Sequence, residues 1–313
     1  MKIYFSLILI ALISYSQSIS CQSISSFDDL NYPYNVKNIT ILNNINVAYV
    51  EEGKGKETIL FIHGLGSYLP AWKKNIEELK NYYRCIAIDL PGYGKSSKSS
   101  ISADMTFYSD VVKGIIKKKK LKNVILAGHS MGGQIALTLA IQSPETVKKL
   151  ILVDPAGFER FSESQKEWFK GFLKPELIKN TSKVIIKSNI EKNFYKFPKD
   201  AEFMITDRIA MRDAKEFDNY CEVIVRSIKG MLDQPVFNRL NTISQETLIF
   251  FGENDNLIPN KFLNPVTTNK IALDGTEKIK NSKLLMVPEV GHFMMFEQSN
   301  YFNKEVKIFL DKE

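Results

Sequence analysis

Short apolar runs alternate along the chain with longer stretches in which apolar positions recur at helical spacing. The short runs are Thr58–Ile62, Cys85–Ile88, Asn123–Ala127, Leu150–Val153, Thr247–Phe251 and Lys283–Val287. Nearly continuous Ile, Leu, Val and Phe is the pattern of strands buried on both faces, as in a parallel sheet covered by helices on each side. The helical stretches are Ala71–Lys80, Phe107–Lys118 and Met131–Gln142. Upstream, Val36–Leu42 and Asn46–Val50 flank Asn43-Asn44 and predict a hairpin. Strand and helix in alternation predict an α/β fold built on a doubly wound, mostly parallel sheet. The rhythm breaks between Pro155 and Gln245, where helical segments rich in lysine and aromatic residues replace any clear strand. Placed after one sheet strand and before the next, that insertion predicts a helical cap over the C-terminal edge of the sheet, where α/β sites lie. The predicted organisation is a core over 35–155 and 246–313, a cap over 156–245, and ahead of them a signal peptide (1–20) and a linker (21–34).

The signal peptide is read from Met1 and Lys2 followed by an apolar run from Ile3 through Ile13 and then small polar residues. That run is too short for an ordinary membrane span of roughly 20 residues. Ser18-Ile19-Ser20-Cys21 resembles a bacterial lipobox, which would lipidate Cys21 and attach the protein to a membrane. A plain signal-peptidase site near Ser16 to Ser20 fits about equally well. Either way the protein is expected to be exported. Cys85 and Cys221 then remain, too few for a disulfide framework, and both read as buried small hydrophobes.

Composition adds limits. With 44% hydrophobic and 25% charged residues the chain is neither disordered nor a multi-span membrane protein. The net charge of +7 comes from lysines mixed with 35 acids, so no nucleic-acid partner is expected. The densest basic run, Lys117 to Lys120, ends a predicted helix, where positive charge favours the helix dipole.

Chemistry enters at Gly128-His129-Ser130-Met131-Gly132, which ends one predicted strand and starts a predicted helix. A serine hydroxyl becomes a useful nucleophile when it is exposed on a sharp turn at a helix N-terminus, and the flanking glycines permit that turn. Together with this elbow, His63-Gly64-Leu65-Gly66 and Asp89-Leu90-Pro91-Gly92-Tyr93-Gly94-Lys95-Ser96, each following a strand, make the chain resemble the α/β-hydrolase superfamily from about Asn35 to the C-terminus.

The resemblance implies a site. Ser130 would be the nucleophile, with the backbone amides of Leu65 and Met131 as the oxyanion hole. The base must be one of three histidines, and His292, in Val290-Gly291-His292-Phe293 after the last strand, is placed to reach the elbow. Family members set the acid three residues after the glycine that ends the preceding strand, which is Asp255, with Glu253 as the competing residue. The chain order Ser, Asp, His is the hydrolase order. Gly64, His129, Trp72 and Phe293 are read as pocket walls, and the side chains of Leu65 and Met131 suit an apolar acyl group. No metal constellation and no cofactor are expected.

The activity expected is hydrolysis of carboxylic esters with small to medium apolar acyl or alcohol groups, the substrate being a small molecule. Alternatives using the same triad are carbon-carbon bond hydrolysis of dienoate ring-fission products and aminopeptidase-type hydrolysis. A weakly catalytic ligand-binding protein on this scaffold is the alternative outside enzymes.

Overall fold

The computed structural model describes residues 23–42 and 44–311, so the predicted signal peptide and Cys21 lie outside the described residues. Eight strands form one sheet in the order β1-β2-β4-β3-β5-β6-β7-β8. They are β1 (Lys37–Ile41), β2 (Ile45–Glu52), β3 (Thr58–Ile62), β4 (Arg84–Ile88), β5 (Val124–His129), β6 (Lys149–Val153), β7 (Glu246–Gly252) and β8 (Ser282–Val287). β1 and β2 are the predicted hairpin, β2 also runs antiparallel to β4, and every other pairing is parallel. The apolar runs of β3, β5 and β6 are buried throughout, as strands covered on both faces must be.

Helices α1 (Lys73–Leu79), α2 (Met105–Lys118), α3 (Met131–Gln142), α9 (Thr268–Thr276), α10 (Met294–Glu297) and α11 (Ser299–Leu310) belong to the sheet layers. α3 is buried from Met131 through Ala140, so it has no polar face to speak of. α2 is amphipathic, burying Val111, Val112, Ile115 and Ile116, and its lysine-rich end is tied down. Lys118 donates to the Thr40 carbonyl, and Lys119 pairs with Glu51 at 2.9 Å. The basic run is therefore a helix end packed on the hairpin.

Between β6 and β7 the chain is helical: α4 (Glu163–Phe172), α5 (Pro175–Lys179), α6 (Lys183–Glu191), α7 (Glu202–Ala210) and α8 (Phe217–Asp233). The long α8 anchors this insertion, burying Phe217, Tyr220, Val223, Ile224 and Leu232. By contrast α4 and α5 bury no residue.

The stretch 21–34, read as a linker, is described from Ser23 onward, and there Phe27, Leu30 and Tyr32 are buried in the core while Ser23, Ser25, Asp28, Asp29 and Asn31 stay exposed. Ser26 caps a short 3-10 turn and donates to Glu216 (2.7 Å), while the Phe27 ring lies 5.5 Å from that of Tyr220. The Tyr32 hydroxyl donates to the buried Asp89 (2.6 Å). The stretch is polar by count, but its few apolar residues are spaced to clip the core to the insertion.

Candidate active site

The parallel strands of the sheet deliver their C-terminal ends to one edge, and each functional residue leaves from a different strand end. At the end of β5 the chain turns sharply through Ser130, at φ 53° and ψ −119°, directly into α3. A non-glycine residue held there stores on the order of 1–3 kcal/mol. The turn closes only because glycine flanks it. A Cβ at Gly128 would sit 2.3 Å from the Gly132 carbonyl oxygen, and one at Gly132 would sit 2.3 Å from that of Ile62. The Ser130 amide donates to the Val153 carbonyl at 2.9 Å, which ties the elbow to β6.

Asp255 follows β7 and His292 follows β8. Nδ1 of His292 lies 2.7 Å from Oδ2 of Asp255, and both residues are buried. The second carboxylate oxygen of Asp255 accepts from the amides of Leu257 (2.7 Å) and Ile258 (3.0 Å). With its oxygens so fixed, the carboxylate can only accept from Nδ1–H, which leaves Nε2 as the basic lone pair of a neutral imidazole.

The other two histidines are structural and neutral. His63 accepts the Leu90 amide on Nε2 (3.0 Å), and its Nδ1 lies 2.8 Å from the Gly64 carbonyl, so it shapes the loop after β3. Burial pushes its pKa down. Nε2 of His129 lies 2.8 Å from the His292 carbonyl, which can only accept, so Nε2 carries the proton. Burial first, and then His292 beside it, hold His129 well below the usual imidazole range. Its ring lies 4.8 Å from that of His292 and 4.7 Å from that of Phe293, supporting the backbone that carries His292.

A cavity of about 380 Å³ opens over this edge, roofed by the insertion. Ser130, His292, Gly64, Leu65, His129 and Phe293 line it, so most of the sequence-predicted residues meet there. Its walls are mainly apolar, including Phe161, Phe169, Met204, Met211 and Ile258. Met131 is the first residue of α3, where the amide has no intrahelical acceptor and is free for an oxyanion.

Two pocket expectations are corrected. Trp72 is fully buried and does not line the cavity: its ring packs 5.0 Å from that of Phe61 on β3 and 6.0 Å from that of Phe302 on α11. The Met131 side chain is likewise buried among core residues and does not line the cavity, so only its amide remains as a candidate contact.

Sequence reasoning missed three residues. Asp154 directly follows β6 at φ 42°, fully buried, with an oxygen within 4.8 Å of ligand-type atoms of both Asp255 and His292. It accepts the Gly252 amide at 2.8 Å, and the Met294 amide also faces the carboxyl group. Burial, and then the Asp255 charge, push its pKa well above 3.8, which favours the protonated form. Among the described residues this trio has metal-like spacing, but the Asp255–His292 hydrogen bond and the Asp255 amide contacts already engage its donor atoms. Arg208 on α7 lines the cavity, donates to the Gly66 carbonyl and lies 4.9 Å over the Tyr220 ring. Glu159, also on the wall, accepts from the Asn260 amide (2.9 Å) and the Asn264 side chain (2.7 Å), and burial raises its pKa to about 6. A strand-end acid was legible by position for Asp154; nothing local marks the other two.

Asp154→Asn is expected to keep kcat within a few-fold, because asparagine still accepts from the Gly252 amide. An acid whose pKa is raised on folding contributes stability below its unfolded value, and that contribution is lost as pH rises toward the folded value. Thermal melts should therefore show the variant gaining on wild type as pH rises above about 4. A loss of kcat as deep as that of an Asp255 variant would instead give Asp154 the orienting role.

Residues 57–299 match the alpha/beta hydrolase fold family. Among characterised proteins, a 2-hydroxy-6-oxononadienedioate/2-hydroxy-6-oxononatrienedioate hydrolase of Pseudomonas putida is 29% identical over 85% of this chain and 92% of its own. A probable hydrolytic enzyme from Pseudomonas aeruginosa PAO1 superposes with a TM-score of 0.83 at 21% identity, covering 94% of this chain and 100% of that one. An esterase from Exiguobacterium antarcticum superposes with a TM-score of 0.74 at 24% identity, covering 88% and 99%. The family match spans well over half the chain, from the strand before the His-Gly loop to past His292, and the protein belongs to the alpha/beta hydrolase fold family.

Proposed function

We propose that the protein hydrolyses carboxylic esters with small to medium apolar acyl or alcohol parts through a Ser130–His292–Asp255 triad. The observation that carries this reading is the buried Asp255–His292 pair opening, beside a strained serine, into a mostly apolar cavity of about 380 Å³. That volume is at the low end of small-molecule sites, roughly 300–1,000 Å³. Ser130 Oγ attacks the ester carbonyl carbon while His292 Nε2 takes its proton. The amides of Leu65 and Met131 receive the oxyanion, and His292 then protonates the departing alcohol. Water, activated by the same imidazole, releases the acid from Ser130. Export, with or without lipidation of Cys21, remains part of the proposal and rests on residues 1–21 alone.

One observation favours a second reading, carbon-carbon bond hydrolysis of a carboxylate-bearing dienoate. Arg208 places a cation on the cavity wall with no carboxylate partner among the described residues, and the P. putida relative is named for a dienedioate. A panel of p-nitrophenyl esters of graded chain length, a dienoate ring-fission product and an aminoacyl amide separates the readings. The ester reading expects kcat/KM to be highest for a short or medium acyl chain, and failure on every ester ends it. Arg208→Met is expected to lower ester kcat about tenfold with KM little changed, since the Gly66 carbonyl loses one of its two donors. A tenfold or larger rise in KM confined to the dienoate favours the second reading.

A further inference from the structure

Trp168 and Phe172 sit one turn apart on α4 with ring centroids 4.8 Å apart, and Trp168 stacks on Phe262 of the loop after β7 at 5.2 Å. These rings are 45%, 57% and 77% exposed, and Leu257 on the same loop is 49% exposed. Three contacting aromatic rings, each about half exposed or more, mark a surface with a partner. The cluster is continuous with the cavity: Lys166 and Phe169 of α4, and Leu257 itself, line its wall. The rings therefore rim the side of the cavity that the insertion closes.

Charge identifies the partner. Residues 160–199, which include α4, α5 and α6, hold ten Lys and Arg against four Glu, a net +6 beside the +7 of the whole chain. Lys174 and Lys183, exposed and flanking α5, have no ion-pair partner among the described residues. α6 adds Val184 and Ile185, both exposed. Exposed aromatic and aliphatic residues among unpaired lysines are the composition of a surface that settles into an anionic lipid interface. A second copy of the chain would bring the same positive charge against itself.

We propose that this rim docks the mouth of the cavity onto an anionic lipid surface, from which esters enter. The entry of esters rests on the proposed activity; the docking does not. Tryptophan fluorescence tests it directly, because Trp72 is fully buried and residues 1–22 contain no tryptophan, so a change reports Trp168 whatever the N-terminus does. Full-length protein carrying Ser130→Ala, to prevent hydrolysis, is mixed with phosphatidylglycerol or phosphatidylcholine vesicles. The expected result is a blue shift with phosphatidylglycerol and quenching by its brominated form, both lost in Trp168→Phe and weakened by added salt. Phe172→Ser combined with Phe262→Ser should weaken the response about tenfold or more while soluble-ester turnover in the Ser130 background is unchanged. Vesicle binding with Trp168 unshifted and unquenched overturns the proposal. Equal responses to the two lipids overturn the choice of partner, and a concentration-dependent shift without lipid overturns it in favour of a second copy. Quenching together with failure on every ester leaves the docking standing and removes the ester reading.

Discussion

Alanine at position 130 is expected to reduce ester turnover by up to about a millionfold, the scale seen when a triad nucleophile is removed. The fold should be untouched, because Ser130 contributes to packing through its backbone: its amide bonds the Val153 carbonyl, and its carbonyl receives the amides of Gly133 and Ala156. Ser130→Gly sharpens the test. At φ 53° and ψ −119° a side chain is strained and glycine is not, so the glycine variant should be as inactive as alanine yet more stable than wild type by about 1 kcal/mol. Turnover and thermal melting of the three proteins together check both halves. A glycine variant that is less stable than wild type would mean that the elbow is not under strain.

Asp255→Asn should cost kcat on the order of 10⁴-fold with little loss of stability. The direction follows from the hydrogen bonds around the carboxylate. The amides of Leu257 and Ile258 demand an oxygen at Oδ1, so an asparagine must turn its NH₂ toward His292 Nδ1. Nδ1 then has to accept, the ring proton moves to Nε2, and the lone pair that should take the serine proton is gone. Substitution of the neighbouring carboxyl, Asp154→Asn, has no such consequence, because Asp154 meets Gly252 and not His292 by hydrogen bond. The contrast between two buried aspartates separates an orienting role from a general effect of removing charge. Comparable losses in both variants would contradict the assignment of Asp255.

How much of this is legible from sequence depends on whether the signal is local. The strands of the core were readable because burial on both faces imposes continuous apolar runs, and each of the six predicted runs lies within a strand or overlaps it to within a residue. The elbow was readable because close backbone approach at Gly128 and Gly132 leaves no room for another residue. Asp255 and His292 could be proposed because the family resemblance sets the acid three residues after Gly252 and the base on the loop after the last strand, where His292 lies five residues past β8. What escaped depends on the approach of distant segments. Asp154 looks like an ordinary strand-end acid until β7 and β8 bring Asp255 and His292 beside it. Arg208 is one cation among many until α7 swings it onto the Gly66 carbonyl. Trp72 was misplaced for the same reason in reverse: nearness in sequence to the oxyanion loop says nothing about where the ring packs.

The central claim is that Ser130 forms a covalent intermediate, and a fluorophosphonate probe followed by peptide mass spectrometry tests it most directly. The account predicts one probe per chain, attached at Ser130, with labelling lost in Ser130→Ala and strongly slowed in Asp255→Asn. An unlabelled wild-type protein that hydrolyses esters, or a probe found on any other residue, would contradict it.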